Sequence, residues 1–393
     1  MADRLPLAGI RIADFTQVVI GPYCTMILAE MGAEVIKVET ESRSTGLARE
    51  VGGFTGLNAS KKGITLNLKH PKGAEVAKRL VAVSDIAAEN FGTGVMERFG
   101  LGYEDLKKVK PDIIMLSNSS LGRTGPLRNA IGYYAEANAF AGFSYLTGYR
   151  EGRPGQVGGI WTDHFTGMLA VFATLAALRF RNRTGKGQYV ELTMADNVIA
   201  SIPEIILDYS VNGRDRGRTE NEELHLAPHN VYRCAGFDKW VAIAVRNDEE
   251  WASFCKALSN PSWCHEERFA DSLSRFKNKK ELDALVTEWT SQREDYEVMY
   301  TLQRAGVPAA PVLNSEGLVE DPQLRERDFL VKLGEVEGKP LAIPTLPWKL
   351  GDCPPAYYRI APQLGEHNQH VLRDILSYSE GEIREMEQEQ VLS

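Results

Sequence analysis

Short apolar runs alternate with helical patterns through the first half of the chain. The predicted strands are 10–15, 33–39, 86–91 and 113–119, and helices are predicted after Pro22, after Pro71 and at Tyr103–Val109. A long helix from His164 to about Arg179 should lead through a basic, glycine-rich turn into a further strand, QYVELTM. Strand–helix alternation of this kind is typical of an α/β fold with a parallel, doubly wound sheet.

The pattern changes after about Gly213. The stretch RDRGRTENEE is polar and charged, and it predicts a linker. Beyond it, the apolar positions predict a strand at KWVAIAV, helices near 248–258, 279–290 and 296–305, and a last strand at VPAAPVL. We therefore predict a large domain over 1–213, a smaller α+β domain over 225–330, and a C-terminal segment, 331–393, that returns to the large domain.

Composition narrows the functional classes. The chain has 393 residues, of which 43% are apolar and 25% charged, and its formal net charge is -8. The negative balance and the lack of a long Lys/Arg run argue against a nucleic-acid surface, although a local basic patch could still bind an anion. Scattered cysteines without a CxxC spacing, an N-terminus without an apolar signal core, and apolar runs too short to span a bilayer predict a cytoplasmic protein that does not associate with membranes.

Common cofactor fingerprints are missing from the sequence. No G-x-G-x-x-G follows a strand and no G-x-x-x-x-G-K-[ST] occurs, so a dinucleotide or ATP site is unsupported. His225 and His229 stand four residues apart with Glu222 nearby. Because Pro228 lies between the two histidines, they are not expected to share a helical face, and loop histidines are predicted instead of a metal site.

Asp163, in WTDHFTG, directly precedes the long apolar helix. One interpretation is structural, because aspartate is a favoured N-cap that satisfies backbone N–H groups of the first helical turn. The other is chemical, because a carboxylate held ionised at a helix N-terminus can attack an acyl carbon and form a covalent intermediate. The local pattern does not decide between these interpretations.

Gln17 and several basic residues are further candidates. Gln17 follows the carboxyl end of the first predicted strand, the edge at which doubly wound sheets bind ligands. Its amide could polarise a carbonyl group there, or it could cap the loop. Lys69, Lys72 and Arg98 lie near predicted strand or loop ends, where the alternatives are solvated surface and phosphate binding.

A series of segments along nearly the whole chain carries a family resemblance. They are LAGIRIADFTQVVIGPYCTMILAEMGAEVIKVE, KKGITLNLKHPKG, ENFGTGVMERFGLGYEDL, TDHFTGM, RTGKGQYVELTM, AGVPAAPV, DPQLRERDF and LGEHNQHVL. In order and spacing they resemble the class III CoA-transferase family, which includes formyl-CoA transferase, carnitine CoA-transferase and α-methylacyl-CoA racemase.

The resemblance implies a fold, an assembly and a site. The implied fold is a large Rossmann-like domain built from both chain ends, with a smaller α+β domain inserted, and two identical or related chains interlace as a dimer. Asp163 would be the nucleophile, with Gln17 beside the reacting thioester and Tyr133 at the substrate. The implied CoA contacts are Val18, Leu66, Lys69, Asn90, Phe91 and Arg98. Coenzyme A and acyl-CoA would be substrates, and no cofactor would be bound permanently.

The chain departs from the family pattern at two places. Thr40 follows the VIKVE strand, where some relatives carry a CoA-binding arginine, so Arg43 or Arg49 would have to replace it. The segment LHLAPHNVY stands where some formyl-CoA transferases have a run of glycines that closes over the active site. This second departure predicts a different way of shielding the intermediate and a larger substrate.

The predicted activity is transfer of CoA from an acyl-CoA to a carboxylic acid through aspartyl-anhydride and aspartyl-CoA intermediates, with an aromatic or dicarboxylic acceptor. The alternatives are a 2-methylacyl-CoA racemase on the same fold, a CoA-binding subunit of a heteromeric transferase and, least supported, an NAD-linked dehydrogenase. Racemases of this family pair an aspartate with a histidine in a G-H-D segment. The matching segment here is IGYY, with Tyr133 in the histidine position, which favours transfer over proton exchange.

Overall fold

The computed structural model describes residues 5–41, 53–336, 338–353 and 359–393. By its internal contacts the chain divides into two compact units. The larger unit comprises the described parts of Met1–Ser144, Gln156–Asp215 and Asp328–Ser393, and the smaller unit comprises Tyr145–Gly155 and Arg216–Arg327.

A six-stranded parallel sheet organises the larger unit. Its strands are β1 (Arg11–Asp14), β2 (Glu34–Glu39), β3 (Lys62–Thr65), β4 (Ile86–Glu89), β5 (Ile114–Ser119) and β6 (Tyr189–Thr193). Their order is β3-β2-β1-β4-β5-β6, so the winding reverses between β1 and β4. The predicted α/β fold with a parallel sheet is confirmed. Strand β3, within KKGITLNLKHPKG, was not among the predicted strands.

Helices occupy much of the remaining chain. In chain order they are α1 (Ile20–Glu30), α2 (Thr55–Asn58), α3 (Pro71–Ala82), α4 (Val95–Arg98), α5 (Tyr103–Val109), α6 (Tyr134–Phe140), α7 (Phe143–Leu146), α8 (Trp161–Thr184), α9 (Met194–Ser201), α10 (Pro203–Asn212), α11 (Asp248–Ala257), α12 (Ser272–Lys277), α13 (Lys279–Thr290), α14 (Asp295–Arg304), α15 (Ser315–Glu320), α16 (Pro322–Glu326) and α17 (Glu380–Gln388). Short 3-10 helices occur at Ser262–His265 and Glu267–Phe269, and a π-helix at His370–Ile375. Among the described residues, no helix has both the length and the apolar character needed to cross a membrane.

Apolar side chains cover both faces of the parallel sheet. Successive strand residues point to opposite faces, so one strand contributes to two cores. Ile114 and Leu116 of β5 pack in a cluster with side chains of α1 and α8, whereas Met115 packs in a second cluster with side chains of α3, α5 and α17. Burial on both faces explains why the strands appear in the sequence as continuous apolar runs.

Helices α1 and α8 approach each other closely at Gly167. A Cβ atom at this position would lie 2.9 Å from the Tyr23 ring and 3.0 Å from the Ile20 carbonyl oxygen, so a larger residue would force the helices apart. Because Ile20 is the first residue of α1 and Gly167 lies in the second turn of α8, the contact places the beginnings of the two helices side by side.

The C-terminal segment forms a hairpin and then packs against the edge strand β3. The hairpin strands are β10 (Leu330–Val336) and β11 (Lys339–Pro344), and they were not predicted. Farther along, Asn368 Oδ1 accepts a hydrogen bond from the Thr65 backbone N–H, and Thr65 Oγ1 donates to the Leu392 carbonyl oxygen, both at 2.9 Å. These contacts join the end of the chain to its first quarter.

The smaller unit has its own sheet and core. Its strands β7 (His229–Arg233), β8 (Trp240–Ala244) and β9 (Ala309–Pro311) are antiparallel in the order β7-β8-β9. The predicted strands at KWVAIAV and VPAAPVL are thus confirmed as β8 and β9. Strand β7 was not predicted, and His229, expected in a loop, begins it.

Candidate active site

A cavity of about 460 Å³ lies at the carboxyl ends of β1, β4 and β5, where the winding of the sheet reverses. Doubly wound sheets bind their ligands at this position. The cavity is lined by many of the residues singled out from the sequence, namely Gln17, Val18, Asn90, Phe91, Arg98, Tyr133 and Asp163. Residues far apart in the sequence are therefore brought to one site.

A reciprocal pair of hydrogen bonds joins the ends of β1 and β4. The Gln17 backbone N–H donates to Asn90 Oδ1, and Asn90 Nδ2 donates to the Gln17 carbonyl oxygen, both at 2.7 Å. Val18, the next residue, has a φ of 63°, which is rare for a β-branched residue and indicates a strained backbone. The backbone at Gln17 is therefore held firmly, while the Gln17 side chain makes no hydrogen bond with any described residue.

A buried charge cluster supports this loop. Asp14 Oδ2 lies 3.0 Å from Lys61 Nζ with both side chains fully buried, and Lys37 Nζ donates to the Thr16 carbonyl oxygen at 2.9 Å. Burial opposes ionisation of Asp14, but Lys61, Lys37 and neighbouring hydroxyl groups outweigh it and hold the pKa of Asp14 at about 2. Burial, opposed by Asp14, lowers the pKa of Lys61 to about 8, so Lys61 is still protonated at neutral pH. The end of β1 is thus fixed by ionic contacts.

Asp163 lies in the first turn of α8 and lines the cavity. The helix begins at Trp161 with Ile160 as its N-cap, so the interpretation of Asp163 as the N-cap is wrong. Asp163 is only 8% exposed, and its Oδ2 atom has no hydrogen-bond partner among the described residues. Burial raises the pKa of Asp163 to about 6 despite a backbone hydrogen bond that favours the ionised form. Desolvation therefore outweighs this hydrogen bond, and the carboxylate still forms at neutral pH.

A buried ion pair fixes the ends of β4 and β5. Arg123 Nη2 lies 2.6 Å from Glu89 Oε1, and it also donates to the carbonyl oxygens of Phe91 at 2.9 Å and Asn118 at 3.3 Å. Glu89 Oε2 accepts a hydrogen bond from the Phe91 N–H at 2.8 Å. The backbone of two residues of the cavity wall, Phe91 and Asn118, is thereby fixed by hydrogen bonds to this ion pair.

The cavity also contains polar residues that the sequence analysis missed. Asn118 and Ser119 end β5, Ser120 follows them, and Arg128 lies on the loop beyond. The signal was present, because polar residues at the carboxyl end of a predicted strand stand at the ligand-binding edge of the sheet.

The remaining candidates lie at the rim or outside the cavity. Arg98 and Tyr133 are exposed, whereas Leu66 is 1% exposed within the sheet core and Lys69 is exposed; neither Leu66 nor Lys69 lines the cavity. Lys72 forms ion pairs with Glu385 at 2.8 Å and Glu389 at 2.7 Å. Arg43 and Arg49 lie outside the described residues.

His229, one of the two histidines considered as metal ligands, makes a local contact instead. The His229 ring Nδ1 lies 2.8 Å from the Asn221 carbonyl oxygen, which orients the ring. Within the described ranges, no group of three or more His, Cys, Asp and Glu side chains is arranged to hold a metal ion.

Known proteins resemble the chain over almost its full length. It is 33% identical to the succinyl-CoA–L-malate CoA-transferase beta subunit of Chloroflexus aurantiacus, with 99% of this chain and 98% of the relative covered. It is 30% identical to the human succinyl-CoA:glutarate CoA-transferase, with 98% and 90% covered.

Solved structures agree with this relationship. A CAIB/BAIF family protein from Brucella suis superposes with a TM-score of 0.87 at 29% identity, covering 95% of this chain and 100% of that one. Rv3272 from M. tuberculosis superposes with a TM-score of 0.80 at 27% identity, covering 93% and 98%. The sequence model of CoA-transferase family III matches residues 7–368. Because the family model and the named relatives match nearly the whole chain, the protein belongs to CoA-transferase family III and is a family III CoA-transferase.

Proposed function

We propose that this chain transfers CoA from an acyl-CoA donor to a carboxylic acid acceptor through covalent intermediates on Asp163. The observation that carries the proposal is the buried, unpartnered Oδ2 atom of Asp163 on the wall of the cavity that also contains Gln17. A poorly solvated carboxylate oxygen with no hydrogen bond is a strong nucleophile toward an acyl carbon.

The proposed reaction conserves the thioester bond. Asp163 attacks the thioester carbonyl of the donor, forms a mixed anhydride and releases the CoA thiolate. The thiolate attacks the aspartyl carbonyl, which gives an aspartyl-CoA thioester and frees the donor acid. The acceptor carboxylate then attacks this thioester to form a second anhydride, and the released thiolate attacks the acceptor acyl carbonyl. The products are the new acyl-CoA and the original Asp163 carboxylate, so no phosphoryl donor is consumed.

Each attack creates an oxyanion that the site must stabilise. The free side-chain amide of Gln17 and the N-terminus of α1, whose first residue Ile20 lines the same cavity, are suited to this role. The strained conformation at Val18 and the Gln17–Asn90 hydrogen bonds would keep these donors in position before substrate arrives.

Succinyl-CoA is the donor to test first. The relatives named above are called succinyl-CoA-dependent transferases, with L-malate and glutarate as the partner acids in their names. Dicarboxylic acids are therefore the first acceptors to screen, followed by aromatic acids.

The experiment that tests the mechanism follows oxygen atoms. After one turnover with an oxygen-18-labelled acceptor carboxylate, the peptide containing Asp163 should carry one heavy oxygen, because the acceptor oxygen remains on the aspartate when the second anhydride collapses. Hydroxylamine added with acyl-CoA should convert Asp163 to a hydroxamate. Deuterium uptake at the acyl α-carbon without label in Asp163 would instead identify a racemase.

The CoA moiety is proposed to contact Val18, Asn90, Phe91 and Arg98 in the cavity, with Leu66 and Lys69 beyond it. We expect Arg98→Ala to raise the KM for acyl-CoA about tenfold and to leave the KM for the free acid unchanged, because a phosphate loses a charge-assisted hydrogen bond. Initial rates at varied acyl-CoA and acid concentrations measure both constants. Arg183→Ala, which removes an exposed arginine near the end of α8, is the control. Unchanged CoA kinetics in both Arg98→Ala and Lys69→Ala would remove these contacts from the proposal.

We also propose that the chain acts as an interlaced dimer. Helix α10 buries none of its residues, and Ile206, Leu207, Tyr209 and Val211 are each more than half exposed. Exposed apolar side chains in one short helix mark an association surface. A relative named as a beta subunit keeps a heteromer as the alternative. Light scattering should give the mass of two chains, and an active monomer at micromolar concentration would contradict the dimer.

A further inference from the structure

Asn118 is the least satisfied polar residue of the cavity wall. Its residue exposure is 0%, and within the described ranges neither its side-chain oxygen nor its side-chain nitrogen has a hydrogen-bond partner. Nearly all buried polar groups in folded proteins are paired, and leaving them unpaired is unfavourable. Because Asn118 lines the cavity that contains Asp163, a bound substrate can supply the missing partners.

Backbone contacts around Asn118 fix the face of the sheet on which its side chain lies. Asn118 pairs with Leu192 of β6, and its carbonyl oxygen accepts from Arg123, which is itself held by Glu89. Ser117, on the opposite face of β5, donates its hydroxyl to Glu89. Strand alternation places the Asn118 side chain on the other face, the one that Ile114 and Leu116 share with α8.

This placement associates Asn118 with the acyl end of the substrate. Asp163, the proposed nucleophile, lies in the first turn of α8, on the same side of the sheet. Arg98, the proposed phosphate contact, is exposed, as expected for the end of the cavity that opens to solvent. Asn118 and Asp163 line the same cavity, so the acyl chain attached at Asp163 is the part of the substrate expected at the buried part of the wall, whereas the phosphate groups are expected near Arg98.

We propose that the Asn118 carboxamide selects acyl groups that carry a hydrogen-bonding oxygen, a carboxylate or a hydroxyl, on the acyl chain. The inference rests on the proposed function and adds the substrate class. The amide N–H groups donate to either oxygen, and a hydroxyl also donates back to Oδ1. Arg128 on the cavity wall forms no ion pair within the described part of the chain and adds positive charge that favours a carboxylate. A hydrocarbon chain would leave the buried amide unpaired and would be rejected.

The test compares three donors of equal chain length: succinyl-CoA with a terminal carboxylate, 3-hydroxybutyryl-CoA with a hydroxyl, and butyryl-CoA with neither. The wild-type protein should prefer each oxygenated donor over butyryl-CoA by on the order of 100-fold in kcat/KM. Asn118→Leu, which has nearly the same size, should reduce that preference at least about tenfold. Asn118→Asp keeps a hydrogen-bond acceptor but repels a carboxylate. Its kcat/KM should therefore fall more for succinyl-CoA than for 3-hydroxybutyryl-CoA.

Two controls distinguish an effect on donor preference from an effect on the stability of the fold. Asn129→Leu makes the same chemical change at an exposed asparagine of the same cavity and should leave the donor preference unchanged. The melting temperature of unliganded Asn118→Leu should equal or exceed that of the wild type, because the substitution removes unpaired buried groups. A fall in melting temperature with an unchanged donor preference would show a structural role and overturn the inference.

A failure of the proposed function can be distinguished from a failure of the inference about Asn118. If oxygen-18 does not enter Asp163 with any donor, the covalent mechanism is wrong. If label enters Asp163 but the wild type does not distinguish succinyl-CoA from butyryl-CoA, the mechanism stands and the role of Asn118 is refuted.

Discussion

Asp163→Asn is expected to eliminate CoA transfer while making the folded chain more stable at neutral pH. Asparagine keeps the shape of the side chain but cannot form the anhydride, so kcat should fall on the order of 10⁴-fold or more. The stability gain follows from the pKa of Asp163, which burial raises from 3.8 in a solvated carboxyl to about 6 in the fold. The folded wild type therefore loses stability as the pH rises from 3.8 to 6, and the loss persists above that range.

The size of this gain can be measured by denaturant unfolding. A pKa difference of this size corresponds to about 2–3 kcal/mol at pH 8, and the wild type and variant should converge near pH 3, where the Asp163 carboxyl is protonated in the folded chain and largely so in the unfolded chain. Asp196→Asn is a matched control, because Asp196 also lies in the first turn of a helix, α9, but is exposed. It should change neither transfer nor the pH dependence of unfolding. Retained transfer in Asp163→Asn would refute the covalent mechanism, and loss of transfer together with loss of stability would indicate misfolding.

Lys61→Met is expected to be among the most destabilising single substitutions in the larger unit. Lys61 and Asp14 are both fully buried, and methionine fills similar space while leaving the Asp14 carboxylate without its ion-pair partner. Removing one partner of a buried pair typically costs about 3–5 kcal/mol. The pKa of Asp14, now held at about 2, should rise, so the variant should be least stable relative to wild type at neutral and alkaline pH.

Two further variants test this explanation. Lys108→Met removes the cation of an exposed ion pair with Asp105, and its unfolding curve should match that of the wild type. Asp14→Leu combined with Lys61→Met replaces the buried pair by apolar groups and should recover much of the lost stability. Recovery of stability without recovery of transfer would show that the ion pair also positions the Gln17 loop. Equal unfolding curves for Lys61→Met and wild type would show that the pair contributes nothing to stability.

Local sequence patterns were sufficient for much of the larger unit. Four strands of its six-stranded parallel sheet were predicted from apolar runs and a fifth from QYVELTM, because a strand buried on both faces requires consecutive apolar residues whatever its partners are. Strand β3 of this sheet, strand β7 of the smaller unit and the hairpin strands β10 and β11 were missed. The segments of β3 and β7, KGIT and HNVYR, contain few consecutive apolar residues. The start of α8 was misplaced because Ile160, its N-cap, provides no capping side chain to recognise.

The site shows the same division between local and long-range information. Family segments in the sequence were enough to single out Asp163 and Gln17 as candidates, and the sequence by itself determined which chemical groups the chain carries and that it is a family III CoA-transferase. Only the tertiary structure decided which strand ends adjoin, as where Asn90 bonds to Gln17 across 73 positions of sequence. It alone decided that Asp163 is desolvated and that the Asn118 amide has no partner in the part of the chain that the structure describes. The reason is physical: strand and helix formation depend on residues a few positions apart, whereas desolvation and hydrogen-bond satisfaction depend on every group that packing brings near, wherever it lies in the sequence.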